Sequence, residues 1–235
     1  MVTPRYRAVV FDLFGTLVHF RARPDPRLDW LREPFAAMAD AGGFDDFRAA
    51  LRAVSMEIIA DRGPEHREVT SRERFARALA RLGADQAAAE ALSSAHMRHL
   101  ANMTDLPAGH AEILAALGRR HRLALVSNFD HAPTAHEVLA RHGIDRHFET
   151  AVISADFGRR KPHPAIFHEA LRRLDVAPGE ALYVGDTHAD DVVGALAAGL
   201  DVAWLAPPDA APAEPAATHR IAELGELVTL LAARP

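Results

Sequence analysis

Four short stretches carry the side chains whose types and spacing could do chemistry: Asp12 in Phe11-Asp12-Leu13-Phe14-Gly15-Thr16, the pair Ser127-Asn128, Lys161 in Lys161-Pro162-His163-Pro164, and Gly185-Asp186 followed by Asp190 and Asp191. Asp12, Asp186 and Asp191 offer hard carboxylate oxygens of the kind that suit Mg²⁺. A carboxylate held by a metal and a lysine stays ionised, which would let Asp12 attack phosphorus. The Ser127 hydroxyl and the Lys161 ammonium would then meet phosphoryl oxygens, where charge must be stabilised. Each residue also has a plain structural reading. Ser127 and Asp186 suit helix caps or turns, Asp190 and Asp191 suit the positive end of a helix, and Lys161 suits a solvated loop. Capping alone gives no reason for acids, a hydroxyl and a lysine to converge on one edge of a sheet.

That convergence is what the surrounding elements imply. Apolar β-formers from Ala8 to Phe11 read as a strand buried on both faces, and Gly15-Thr16 supplies the turn after it. From Leu106 the rhythm alternates: helix 109–120, strand 123–126 ending in Ser127-Asn128, helix 134–142 stopped by Gly143, strand 151–153, the polar loop 154–164 with Lys161, and helix 165–174. Strand 181–184 then ends in Gly185-Asp186, helix 191–198 closes at Gly199, and strand 201–205 follows. A Pro/Ala-rich loop at 207–215 leads to a short strand or cap and a terminal helix within 221–233. Alternation of this kind predicts an α/β protein with a Rossmann-like parallel sheet, which binds ligands at the C-terminal edge of its strands.

Between residues 18 and 104 the pattern is helical, with no convincing strand. Leu28, Leu31, Phe35, Met38 and Ala39 share a helix face, with Pro34 better suited to its first turn than its middle. Helices follow at 47–59, at 71–82 behind the capping-box spacing Thr70-Ser71-Arg72-Glu73, and at 87–100. The expected organisation is an α/β core of residues 1–18 and 106–235, with an all-helical cap of residues 19–105 inserted as a lid over the edge that carries Asp12.

Composition narrows the function classes. A formal charge of −5 over 235 residues gives no sign of a nucleic-acid or membrane partner, and the absence of cysteine excludes disulfides, thiolate metal sites and a cysteine nucleophile. The N-terminus does not read as a signal peptide, and no apolar run reaches the roughly 18 residues of a membrane span. A cytoplasmic protein is expected, acting on a small molecule as a monomer or homodimer. Of the 27 basic residues only Lys161 is lysine, which suits a position that requires a compact ammonium.

The four stretches, in this order and spread from Asp12 to Asp191, resemble the four motifs of the haloacid dehalogenase-like hydrolase superfamily, with a helical cap between the first two. The resemblance implies Asp12 as nucleophile and Ser127 and Lys161 as the groups that hold the phosphoryl unit. It implies Mg²⁺ bound by Asp12, the backbone carbonyl of Phe14 and Asp186, with Asp191 as a further acid acting through water or by orienting Lys161. Phe14, Gly15, Thr16 and Asn128 are the neighbouring candidates for substrate contact.

Phe14 departs from the phosphatases of this superfamily, which carry a second aspartate there to protonate the leaving group. Such a proton donor is worth ~10²–10⁴-fold in rate. Three readings follow. A Mg²⁺-dependent phosphatase, in which His19, His131 or His188 or a good leaving group makes up for the missing acid, keeps Asp186 and Asp191 meaningful and is favoured. A 2-haloacid dehalogenase fits an aromatic residue at this position, since halide needs no proton, but leaves Gly185-Asp186 without a metal to bind. A non-catalytic phosphate- and metal-binding regulator is the remaining reading. Phosphonate cleavage is rejected because it needs a lysine from the cap. Arg62, His66, Arg67 and Arg72, and Arg32 beside Trp30, are candidates for meeting an anionic substrate from the cap.

Overall fold

The computed structural model describes residues 5–23, 25–37, 42–207 and 209–232. Met38 and Ala39 of the first cap helix, Ala233 of the terminal helix and residues 1–4 of the N-terminal reading lie outside them. The chain begins with β1 (Ala8–Phe11) and a two-residue β2 (His19–Phe20). Next come α1 (Arg32–Ala36), α2 (Phe44–Ala60), α3 (Ser71–Arg81), α4 (Ala89–Asn102) and the short β3 (Thr104–Asp105). The alternating part runs α5 (His110–Leu117), β4 (Arg122–Ser127), α6 (Ala132–Arg141), β5 (Thr150–Ile153), α7 (Ser154–Phe157), α8 (Pro164–Leu174) and β6 (Ala181–Gly185). A π-helical turn, His188–Val192, enters α9 (Val193–Ala197), and β7 (Asp201–Leu205), β8 (His219–Ile221) and α10 (Glu226–Ala232) complete the chain.

Six strands form one parallel sheet in the order β5-β4-β1-β6-β7-β8. The α/β class with helices on both faces is therefore as the alternation predicts. β1 reads as continuously apolar because both of its faces are covered: Val9 and Phe11 enter one hydrophobic cluster, Ala8 and Val10 the other. The chain adds strands outward on one side of β1 and then returns to the other side, so β1 sits at the reversal of strand order, where open α/β sheets bind ligands. Register places Phe11 level with Leu125 and with Val184. Asp12, Ser127 and Asp186 consequently leave three adjacent strands at nearly the same height.

The helices between β2 and β3 hold a third, separate cluster that includes Phe35, Phe47, Phe75, Leu79 and Leu92. Thr70 caps α3 by accepting a bond from the Glu73 amide at 3.2 Å. The Glu73 carboxylate turns to Arg77 at 2.6 Å, so only one arm of the capping box forms. Pro34 is the third residue of α1, within the first turn as its missing N–H requires.

Three local features differ from the sequence expectation. β2 and β3 pair as an antiparallel ribbon, His19 opposite Asp105 and Phe20 opposite Thr104, and tie together the two chain crossings at the root of the helical block. Strands of two residues carry no periodicity to read. The expected loop after β5 opens with the helical turn α7, ended by Gly158 at φ 84°. The helix expected from Asp191 begins as the π-helical turn. No described helix is long and apolar enough to cross a membrane.

Gly194 marks a close packing contact behind the site, because a Cβ there would sit 2.7 Å from the Phe167 ring and 2.8 Å from Pro162 Cα. One of these neighbours is backbone and cannot rotate away. Gly194→Ala should therefore lose ~1–3 kcal/mol of stability, measured by urea denaturation. An unchanged midpoint would contradict this account of the packing.

Candidate active site

The solvated-loop reading of Lys161 fails at once, for the residue is 2% exposed. Its ammonium donates to Asp12 Oδ1 at 2.6 Å, to Asp191 Oδ1 at 2.7 Å and to the Tyr183 hydroxyl at 2.9 Å. All three donors of the ammonium are thus committed. Asp12 and Asp191 are themselves buried, at 6% and 1% exposure. Burial at this depth is tolerable for an ion only when it is paired and hydrogen-bonded.

One ammonium does not balance the carboxylates around it. One oxygen each from Asp12, Asp186 and Asp191 lies within 4.8 Å of the others. Burial pushes the Asp12 carboxyl up to about 7, with Lys161 opposing the shift and Asp191 adding to it. Burial, and next the charge of Asp191, also raises Asp186. Lys161 is held above its ordinary range despite its own burial, because Asp12 and Asp191 flank it. The set carries excess buried negative charge, and its hard oxygens suit a divalent cation.

The acids are not equivalent. Asp191 Oδ1 is shared by Lys161 and Tyr183, and its Oδ2 accepts the Thr187 amide at 2.9 Å. Both of its oxygens are occupied by partners within the protein. Asp12 takes part in its one side-chain hydrogen bond through Oδ1, and its Oδ2 has no hydrogen-bond partner among the described residues. Asp186 receives a long contact from the Thr16 hydroxyl at 3.4 Å, and its carbonyl accepts from Trp204 Nε1 at 2.9 Å.

Close backbone approach explains two of the glycines. Gly15 sits at φ 94°, and a Cβ there would fall 2.5 Å from Asp186 Oδ2. A Cβ at Gly185 would fall 2.4 Å from Asp191 Cγ. Asn128 accepts from the Lys161 amide at 2.7 Å and donates to the Lys161 carbonyl at 3.0 Å and to Asp190 at 3.1 Å. It therefore pins the lysine backbone to the end of β4. Ser127 is 1% exposed, and its hydroxyl has no hydrogen-bond partner. An orphaned buried hydroxyl at a strand end is an expected place for a ligand oxygen.

Phe14 is half-buried and stacks on Phe20 at 5.2 Å and on Phe129 at 4.6 Å between ring centres. Two of the three histidines considered as proton donors hydrogen-bond elsewhere, and the third, His19, is exposed. His131 meets Thr134 Oγ1 at 2.9 Å, His188 meets the Pro215 carbonyl at 3.0 Å, and His19 packs edge-on against His110. Among the arginines considered for the cap, Arg67 pairs with Glu73, Arg72 with Glu90 and Arg32 with Asp29, whereas Arg62 is half-buried with an unpartnered Nε. His66 lends its carbonyl to the Arg160 amide at 2.9 Å.

Tyr183 escaped the sequence reading. Within the apolar run 181–184 it looks like core, and its ring does pack edge-on against Phe167 at 5.0 Å. Burial and the charge of Asp191 hold its hydroxyl protonated, well above the ordinary tyrosine range.

Comparison with known proteins agrees with this architecture. A family model described as haloacid dehalogenase-like hydrolase matches residues 6–199. The chain is 32% identical over 200 residues to a glyceraldehyde 3-phosphate phosphatase of Methanopyrus kandleri, covering 83% of this chain and 81% of that one. It is 34% identical over 210 residues to a phosphoserine phosphatase of Thermus thermophilus, covering 86% and 82%. A crystal structure of a 2-haloacid dehalogenase from Pseudomonas syringae pv. tomato superposes with a TM-score of 0.75 at 26% identity, over 97% of this chain and 98% of that one.

Tyr183→Phe removes one partner from both Lys161 and Asp191 without opening a cavity. It should cost ~1–3 kcal/mol, the desolvation penalty of a buried group left unpaired, seen as a lower urea midpoint. Wild-type stability would mean the hydroxyl contributes nothing to the cluster.

Proposed function

The chain belongs to the haloacid dehalogenase-like hydrolases, and on that premise we propose that it is a Mg²⁺-dependent phosphatase of a small phosphorylated metabolite. The observation that carries this reading is the excess of buried carboxylate over cation at Asp12, Asp186 and Asp191, with the unpartnered Ser127 hydroxyl at the next strand end. Mg²⁺ would be held by Asp12, the Phe14 carbonyl and Asp186, with Asp191 acting through Lys161. Bound there, it would supply positive charge against the phosphoryl oxygens.

The residues themselves divide the work. A carboxylate oxygen of Asp12 attacks phosphorus, the bond from phosphorus to the leaving oxygen breaks, and an aspartyl-phosphate forms on Asp12. The Ser127 hydroxyl donates to a phosphoryl oxygen, and the Lys161 ammonium faces the growing negative charge. Gly15, Thr16 and Asn128 keep Asp186 and Lys161 in register. Water then hydrolyses the aspartyl-phosphate and returns the Asp12 carboxylate. The helical block of residues 19–105 serves as a cap on the core of residues 1–18 and 106–235, and the substrate is a small molecule met in the cytoplasm.

Phe14 limits the leaving group. Its ring holds no proton, His131 and His188 hydrogen-bond elsewhere, and among the described residues no hydrogen bond joins His19 to the site. The leaving oxygen must therefore depart without a strong acid beside it, which favours acyl or aryl phosphates over alkyl esters. The aromatic stack at Phe14 and the likeness to a 2-haloacid dehalogenase also support a second reading, in which Asp12 displaces halide from carbon and forms an ester.

One panel separates the two. Under the phosphatase reading an aryl phosphate is turned over with Mg²⁺, EDTA stops the reaction, and Asp12→Asn lowers the rate by roughly 10³-fold or more. Halide release from a 2-haloacid that persists in EDTA would overturn it in favour of dehalogenation. Phe14→Asp should raise turnover of an alkyl phosphate, up to ~10²-fold, if the proton donor is what is missing. No rise in a folded Phe14→Asp variant would show that the aromatic residue does more than occupy the place of an acid.

A further inference from the structure

Glu68 is the best-buried carboxylate that the proposed chemistry does not use. It lies in the segment between α2 and α3, yet its side chain is 4% exposed. It accepts the Ser154 hydroxyl at 2.6 Å and its neighbour's amide, that of Val69, at 3.1 Å. Arg160 approaches the same carboxylate at 3.4 Å. Glu65, three residues earlier, pairs with Arg159 at 2.8 Å but is 68% exposed, a solvated pair of the ordinary kind. Burying Glu68 has a desolvation cost that a surface pair avoids, so its partners deserve a mechanical reading.

Those partners lead to both loops of the site. The Ser154 hydroxyl has one proton, which the 2.6 Å bond gives to Glu68, and it accepts in turn from the Phe129 amide at 2.9 Å. Phe129 directly follows Ser127-Asn128 and stacks on Phe14. On the other side Arg160 immediately precedes Lys161. Backbone pairing reinforces the contact: the Glu68 amide donates to the Gly158 carbonyl at 3.0 Å, and the Arg160 amide donates to the His66 carbonyl at 2.9 Å. The Ser71 amide reaches the Asp130 carbonyl at 2.8 Å, and Arg74 pairs with the Asp130 carboxylate at 3.0 Å. Besides the β2–β3 ribbon and the contact of α4 with α6, where Arg141 donates to Asn102 at 2.6 Å, the helical block is thus attached to the core through this seam.

We propose that Glu68 is a positioning residue: from the helical block it fixes the Ser127–Asp130 and Gly158–Lys161 loops, so that docking of the block sets the phosphoryl-binding geometry. The proposal rests on the reading above of Ser127 and Lys161 as the phosphoryl-holding groups. Without Glu68 the Ser154 hydroxyl keeps only the longer bond to the Phe129 carbonyl at 3.2 Å, the Phe129 amide loses an anchored partner, and Arg160 loses its buried counter-charge.

The test uses the full chain in Mg²⁺ buffer with two readouts, hydrogen exchange and the affinity for inorganic phosphate. Glu68→Ala should speed amide exchange about tenfold over 128–130 and 158–161, leave the central strands unchanged, and weaken phosphate binding about tenfold. Glu68→Gln keeps an acceptor for Ser154 and should restore most of both losses. Ser154→Ala cuts the same link from the core side, should copy Glu68→Ala, and should add little to it in the double variant. If Glu68→Ala fails to fold, the Gln and Ser154 variants decide the matter. Unchanged loop exchange and phosphate affinity in the folded variants would overturn the proposal, and so would faster exchange spread over the whole chain. A wild-type protein that binds no phosphate would refute the phosphatase reading, while the exchange pattern would still judge Glu68.

Discussion

A single buried ammonium held between two buried carboxylates is the constraint on which the site depends. Lys161 has no other lysine to share its task and is buried away from solvent, so its position must satisfy all three donors at once. That requirement reaches back into the fold. Asp12 must end β1 at the same height as β4 and β6 end, Asp191 must turn inward from the first turn after β6, and the Lys161 backbone must be held, which Asn128 does at both its amide and its carbonyl. The π-helical turn at His188–Val192 fits the same demand. Its wider winding lets Asp191 reach Lys161 and Thr187 while Asp190 reaches Asn128.

Much of this was legible in the sequence because it follows from burial and chain order. A continuous apolar run before Asp12 means a strand covered on both faces, and such strands in alternation with helices can pair only in parallel. The lone lysine among arginines was informative for a physical reason: a guanidinium is too broad to sit between Asp12 Oδ1 and Asp191 Oδ1 with a third bond to Tyr183. Other features left no trace. Tyr183 has the same signature as any large residue in a buried strand, since its hydroxyl matters only through atoms 8 and 22 residues away. Glu68 reads as one more charge in a polar segment, and its burial arises from contacts 86 and 92 residues away. The β2–β3 ribbon is too short for its pattern to be seen.

The excess of buried negative charge gives the site its readiness for a cation and for an anion in turn. With Lys161 alone, the carboxyls of Asp12 and Asp186 are pushed toward protonation. A divalent cation held between them, as proposed, would oppose that pressure and favour an ionised Asp12. The Ser127 hydroxyl, without a partner inside the protein, would gain one from a phosphoryl oxygen.

Phe14 ties the chemistry to the architecture. It stands two residues after Asp12 and stacks between Phe20, at the root of the helical block, and Phe129, beside Ser127. An aspartate at the same place could not make these contacts, and its charge would lie against apolar rings at a desolvation cost. The aromatic residue therefore joins the turn after Asp12, the root of the block and the loop after Ser127 through dispersion and ring stacking, where an acid would join them to solvent. A site organised in this way gives up help with proton transfer and gains a rigid apolar wall beside Asp12. Under the proposed chemistry, substrates whose leaving group needs no proton would lose nothing by that exchange.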